Sequence, residues 1–142
     1  MISNKYIAGF FDGEGSVGLY RGTGYYALRV CITQVSSTSS LALLSELKSR
    51  FGGGIYGIGK MKAHHRSAVM WSTYSNDACR FLKTIEPFLL LKAAQARVAI
   101  DWQEKRSVEP KARSRAAAAE RKVIRANDQF VAEKLRDMKR AA

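Results

Sequence analysis

At 142 residues, with 46% hydrophobic and 25% charged side chains, the chain holds one domain's worth of sequence and reads as globular. Lys and Arg number 24 against 12 Asp and Glu, a formal net charge of +12 that points to a polyanionic partner, nucleic acid before membrane. Cys31 and Cys79 are too few and too far apart for a disulfide framework or a zinc site, so a reducing intracellular setting is expected; the N-terminus lacks the cationic region of a secretory signal, and no run approaches the roughly 18 apolar residues of a membrane span.

The first predicted element is a helix from about Ser3 to Glu14. Within it, Ile7-Ala8-Gly9-Phe10-Phe11-Asp12-Gly13-Glu14-Gly15 combines small residues, aromatics and two carboxylates. Gly9 and Gly13 lie four residues apart on one face, with Ala8 and Asp12 beside them, and small residues there let a second helix approach closely. Asp12 and Glu14 sit at the C-terminal end, where the helix dipole disfavours a carboxylate by up to about 1 kcal/mol. Something else should hold them. Gly13 and Gly15 suit a helix stop with a left-handed cap, leaving the Gly13 carbonyl to face an ion; a hard divalent cation takes carboxylate and carbonyl oxygens together. Taken alone, Asp12-Gly13-Glu14-Gly15 reads more readily as a solvated turn after a short helix.

Val17 and Leu19, then Leu28, Val30 and Ile32, alternate with polar or small residues as half-buried strands do, around a turn at Arg21 to Gly24. Leu41, Leu44, Leu47 and Phe51 recur at helical spacing behind a Ser/Thr cluster that can cap, and Gly52-Gly53-Gly54 ends that helix. A second hairpin follows, Ile55 to Lys62 and Ser67 to Tyr74. A third helix starts near Ser75 and stops by Pro87, and Leu89 to about Lys105 is predicted as a fourth. Past Ser107 the composition shifts to Ala, Arg, Lys and Glu, with Ile124, Val131, Leu135 and Met138 as an apolar stripe. An amphipathic helix docked on the core or on a partner is expected there, against the alternative of a disordered basic tail.

The segment 7–15 resembles, position by position, the signature of the LAGLIDADG homing endonucleases, with Glu14 where that family usually carries its second aspartate. Two successive α-β-β units over roughly residues 1–104 are also similar to the fold of its single-motif members. The resemblance implies an α+β fold: an α-β-β-α-β-β-α core over residues 1–106 and a basic helical extension over 107–142. It implies a site-specific double-strand DNA endonuclease that acts as a homodimer on a long pseudo-palindromic target, with Mg2+ as cofactor and Mn2+ able to substitute. Glu14 and Gly13 would then bind metal, Gln34 in Ile32-Thr33-Gln34 would organise a water, and Lys92 would be the active-site lysine. Ala8, Gly9, Asp12 and Gly13 would form the dimer interface, Asp12 as a structural partner more than a ligand. Two Glu14 carboxylates meeting across a two-fold axis would repel unless cations bridge them. After Gln34, where some relatives carry a basic residue, this chain has Val35-Ser36-Ser37-Thr38.

For DNA binding, the sheet face opposite the apolar one is expected to lie in the major groove. With Leu28, Val30 and Ile32 inward, Tyr25, Ala27, Arg29 and Cys31 point outward, joined by Tyr20, with Arg21 at the turn and Arg29 as the guanine reader. Lys60, Lys62 and Arg66 would serve phosphates or base edges, and Trp71 joins the set with the parity of its strand open. His64 and His65 are read as phosphate-facing or solvated. Two other functions fit the charge. One is an intron RNA-binding splicing helper, suited by the 12 basic and 5 acidic residues of 105–142; the other is a DNA-binding protein without cleavage.

Overall fold

The computed structural model describes residues 1–22, 25–59, 67–108 and 118–141, with the backbone alone at 107–108 and 118–121. Lys60, Lys62, Arg66, His64 and His65 lie outside the described residues. The first helix, α1 (Asn4–Glu14), begins where the Ser3 hydroxyl accepts from the Tyr6 amide. It buries Ile7, Ala8, Phe11 and Asp12 on one side. The expected left-handed cap is absent: Gly15 is extended, with φ −84° and ψ 161°, and α1 runs directly into the first strand. Glycine is required there for space, because a Cβ would collide with the Phe11 ring.

Strands β1 (Gly15–Arg21) and β2 (Tyr26–Val35) form an antiparallel hairpin, followed by α2 (Thr38–Phe51). The Ser37 hydroxyl caps α2, and the helix ends at Gly52 and Gly53, whose φ values of 74° and 81° few other residues adopt. Strands β3 (Gly54–Ile58) and β4 (Ala68–Tyr74) complete one antiparallel sheet of order β1-β2-β4-β3. Then come α3 (Ser75–Ile85), a short 3-10 turn over Glu86–Phe88, α4 (Ala93–Val108) and α5 (Ala118–Ala141).

The helices cover one sheet face. Val17, Leu28, Val30, Ile32, Val69 and Trp71 point into the core against Phe11, Leu44, Leu47, Phe81 and Leu82. Phe81 sits at its centre, edge-on to Phe11, Phe51 and Trp71 with ring centroids 5.4, 5.1 and 5.1 Å away. Trp71 therefore does not face DNA. It stands opposite Ile32 in the β2–β4 register, which puts both on the covered side, and it is 0% exposed with its indole N–H donating to the Gly52 carbonyl at 3.0 Å.

One further expectation changes. Helix α4 starts at Ala93, four residues later than predicted, because the amides of Leu90 and Lys92 are taken by the Asp12 carboxylate at 2.7 and 2.9 Å. The C-terminal segment is a docked helix: α5 packs on α4 and β1, and its Leu135 belongs to the same core. Buried Asp128 pins it, accepting from the Trp102 indole at 2.8 Å and the Arg106 guanidinium at 2.9 Å. No helix among the described residues is long and apolar enough to cross a membrane.

Replacing Trp71 with Ala should cost about 3–5 kcal/mol of stability in a urea titration, the range for truncating a buried aromatic. A cost under about 0.5 kcal/mol, as for an exposed residue, would contradict the burial described here.

Candidate active site

The end of α1 and the segment 89–92 meet because one carboxylate joins them. Asp12, 8% exposed, accepts the Leu90 amide through Oδ2 and the Lys92 amide through Oδ1, while the Lys92 ammonium donates back to the Asp12 carbonyl. These bonds answer the dipole cost at the C-terminus of α1, since charge-assisted bonds to buried carboxylates are worth about 1.5–3 kcal/mol each. They also deliver Lys92 beside Glu14, which lies two residues beyond Asp12 and is exposed.

Together these residues line a cleft of about 620 Å³ with Gly13, Ser16, Cys31, Thr33, Gln95 and Lys139. Lys139 comes from the last turn of α5 and donates to the Ser16 hydroxyl at 3.2 Å. The Lys92 ammonium is held below its ordinary lysine pKa: burial is the main cause, Asp12 opposes it, Lys139 adds to it and Glu14 opposes it more weakly.

Each Asp12 oxygen accepts a backbone amide, so the carboxylate left without a bond for a ligand is that of Glu14, which accepts no hydrogen bond among the described residues. Glu14 with the backbone oxygens lining the cleft is a hard oxygen donor set of the kind Mg2+ takes. It is a partial set. No group of three His, Cys, Asp or Glu gathers at one point among the described residues.

Gln34 is not brought to this cleft. It shares its strand face with Val30 and Ile32, where it borders Ile2, Tyr6 and Phe10, and its amide donates to the neighbouring Thr33 carbonyl at 2.9 Å. The next residue back, Thr33, occupies the cleft position instead, as period-two alternation from Cys31 requires. Ala8 and Asp12 also leave the expected close-approach face, because both point into the chain's own interior. Gly9 and Gly13 stay on it, where a Cβ at either position would meet nothing within 4 Å. Around them lie exposed Tyr6, Phe88, Leu90 and Leu91, the last two 88% and 69% exposed.

On the uncovered sheet face, Tyr20 and Tyr74 flank Arg29, whose guanidinium carbon is 5.3 and 5.9 Å from their ring centroids. Arg29 donates to the Met70 sulfur at 3.2 Å, and its buried Nε has no partner among the described residues. Tyr56 shares this face from β3, opposite Met70. Arg21 and Tyr25 are exposed at the hairpin end and border α5. Tyr56, Tyr74, Thr33, Ser16, Gln95 and Lys139 were not singled out from the sequence. Strand parity reaches Thr33 and Ser16; the contribution of α5 has no local signal.

A carboxylate-bearing helix feeding straight into a four-stranded antiparallel sheet, in the order α-β-β-α-β-β-α-α-α, defines a fold class, that of the LAGLIDADG homing endonucleases. The homing endonuclease I-CvuI, in crystals with its target and calcium or with the I-CreI target uncleaved in magnesium, matches this chain at a TM-score of 0.67 and 17% identity. The match covers 95% of this chain and 80% of that one. The archaeal intron-encoded endonuclease I-Vdi141I, complexed with DNA, matches at 0.56 and 18% identity over 95% and 82% of the two chains. For the LAGLIDADG meganuclease I-AabMI, bound to uncleaved DNA, the values are 0.59 and 21%, over 75% of this chain and 38% of that one. No family model and no curated protein matches the sequence.

A lysine whose folded pKa is lowered binds fewer protons folded than unfolded, so it reduces stability at neutral pH. The penalty is relieved as pH rises from that lowered value towards the ordinary one near 10.4. Lys92→Met should therefore melt no lower than wild type at pH 7, with the gap moving in favour of wild type as pH approaches 10. A variant melting well below wild type at pH 7 would show that the ammonium contributes net stability.

Proposed function

We propose that the chain is a site-specific endonuclease of duplex DNA that uses a divalent metal and acts as a homodimer. The observation that carries this reading is the cleft itself, where Asp12 fixes the Lys92 backbone and ammonium and the exposed Glu14 carboxylate, two residues beyond Asp12, lines the same space. Glu14, with backbone oxygens at the α1–β1 junction, would hold Mg2+ or a similar hard cation. When bound, such an ion neutralises charge on a scissile phosphate and acidifies a water. Lys92, held in place by its own backbone, supplies a fixed positive charge to the phosphate or the departing oxygen. The hydroxyls of Ser16 and Thr33 offer donors to the same space.

Dimerisation is supported by what lies outside the cleft. The open Gly9–Gly13 face, ringed by Tyr6, Phe88, Leu90 and Leu91, is an apolar surface without a partner in the single chain. A second copy related by a two-fold axis there would bring a second Glu14 alongside the first and complete a partial donor set.

Duplex DNA is supported by the net charge and by the uncovered sheet face carrying Tyr20, Arg29, Tyr56 and Tyr74. Strand β2, ten residues long, spans about 33 Å at roughly 3.3 Å per residue, close to ten base pairs. Solved structures that share the fold include homing endonucleases in complex with DNA, which supports the same reading.

Glu14→Gln should retain duplex binding in Ca2+ within about twofold and lose at least 10²–10³-fold in Mg2+-dependent cleavage, the scale for removing a charge-stabilising group. Selection from a randomised target library supplies the substrate. Cleavage by the variant at the wild-type rate would rule out Glu14 as the metal-binding carboxylate.

A further inference from the structure

Helix α5 crosses the edge of β1 with a row of cations on one flank. On a helix with 100° per residue, Lys122, Arg125, Arg136 and Lys139 fall within an arc of about 100° that takes in the buried Ala132 and borders the buried Asp128 and Leu135. That flank faces β1 along its length. At one end Lys122 and Arg125 close on Arg21, Tyr25 and Tyr26 around a cavity of about 270 Å³. In the middle, Arg136 borders Tyr20 and Arg21, and at the other end Lys139 reaches Ser16 in the catalytic cleft.

We infer that α5 is a rail for the DNA backbone, leading phosphates from the β1–β2 hairpin end into the cleft that holds Glu14 and Lys92. The inference rests on the duplex-binding reading above and adds to it a second DNA-contacting element outside the sheet.

Three features argue for a polyanion running lengthwise. The first is reach: Lys122 to Lys139 covers about 26 Å at 1.5 Å per residue, comparable to seven or eight base pairs of duplex. The second is continuity. Lys139 and Lys92 share the cleft, and two ammonium groups held together are stabilised by an anion between them. The third is rigidity. The Asp128 bonds to Trp102 and Arg106, and Leu135 in the core, hold the helix so that its cations are already in line before any ligand arrives. Glu133 also lies on this flank, and its carboxylate accepts from Gln129 at 3.0 Å. A free, solvated basic tail would need none of this docking.

The rail residues are exposed, so their removal leaves the core intact. The test measures binding of the full-length protein to a random-sequence duplex of about 30 base pairs in Ca2+ across a salt series, where each lost phosphate contact lowers the slope of log K against log salt by about 0.9. The fourfold variant Lys122→Ala, Arg125→Ala, Arg136→Ala, Lys139→Ala should lose roughly three to four units of slope for each bound protomer, and Lys139→Gln alone about one. Lys134→Ala, on the opposite flank of α5, should leave the slope unchanged. A fourfold variant with the wild-type slope, while wild type itself binds, would overturn the rail alone. Wild type that binds no duplex would overturn the duplex reading and the rail together. Loss of binding to a structured RNA with duplex binding intact would assign the flank to RNA and overturn the rail.

Discussion

One buried carboxylate organises the functional end of this molecule. Asp12 closes α1 and, from 78 residues away in sequence, fixes the backbone of Leu90 and Lys92. A helix C-terminus disfavours negative charge, and Asp12 is stable there because two amides and, through its carbonyl, an ammonium converge on it. The same contacts delay the start of α4 to Ala93 and turn the Lys92 side chain back towards Glu14. Position and chemistry are thus set together: the group that shapes the backbone also aims the cation.

The two carboxylates of the 7–15 segment consequently have separate tasks. Helical spacing places Ala8 and Asp12 on one line and Gly9 and Gly13 on the next, about 100° further round. The first line faces the chain's own core and the second is open. Glu14 follows at the last helical position, where neither face claims it. Its side chain is exposed and makes no hydrogen bond among the described residues, so the extra methylene relative to aspartate extends towards open space. A single turn and a half of helix serves the interior, the open face and the cleft at once.

Much of the fold was readable from periodicity, because strand and helix patterns are local. The alternation of Leu28, Val30 and Ile32 and the helix stop at Gly52 reappear in the structure. Gln34 lies off the cleft of the single chain because that same alternation assigns Thr33 to it. Trp71 depended on register between β2 and β4, strands separated by a helix and a third strand, and no local pattern fixes that pairing. The apolar run Leu89-Leu90-Leu91 reads as a helix start until Asp12 claims its amides. The role of α5 was out of reach for the same reason: Asp128, Trp102 and Arg106 are distant in sequence and joined only by packing.

Lys92 is where the fold gives up stability most plainly. Burial lowers its pKa by more than Asp12 and Glu14 raise it, so the charged form of the ammonium is held at a cost to the folded state. A methionine would cover the same surface without that penalty. Lys139 makes the cleft still more positive when it could have pointed to solvent from the end of a helix. Two cations concentrated beside one unpartnered carboxylate are poor design for a structural core. They are good design for a pocket that meets phosphate, where the anion relieves the repulsion and the carboxylate remains free for a metal. The local departure from stability thus marks the same few residues as the geometry does.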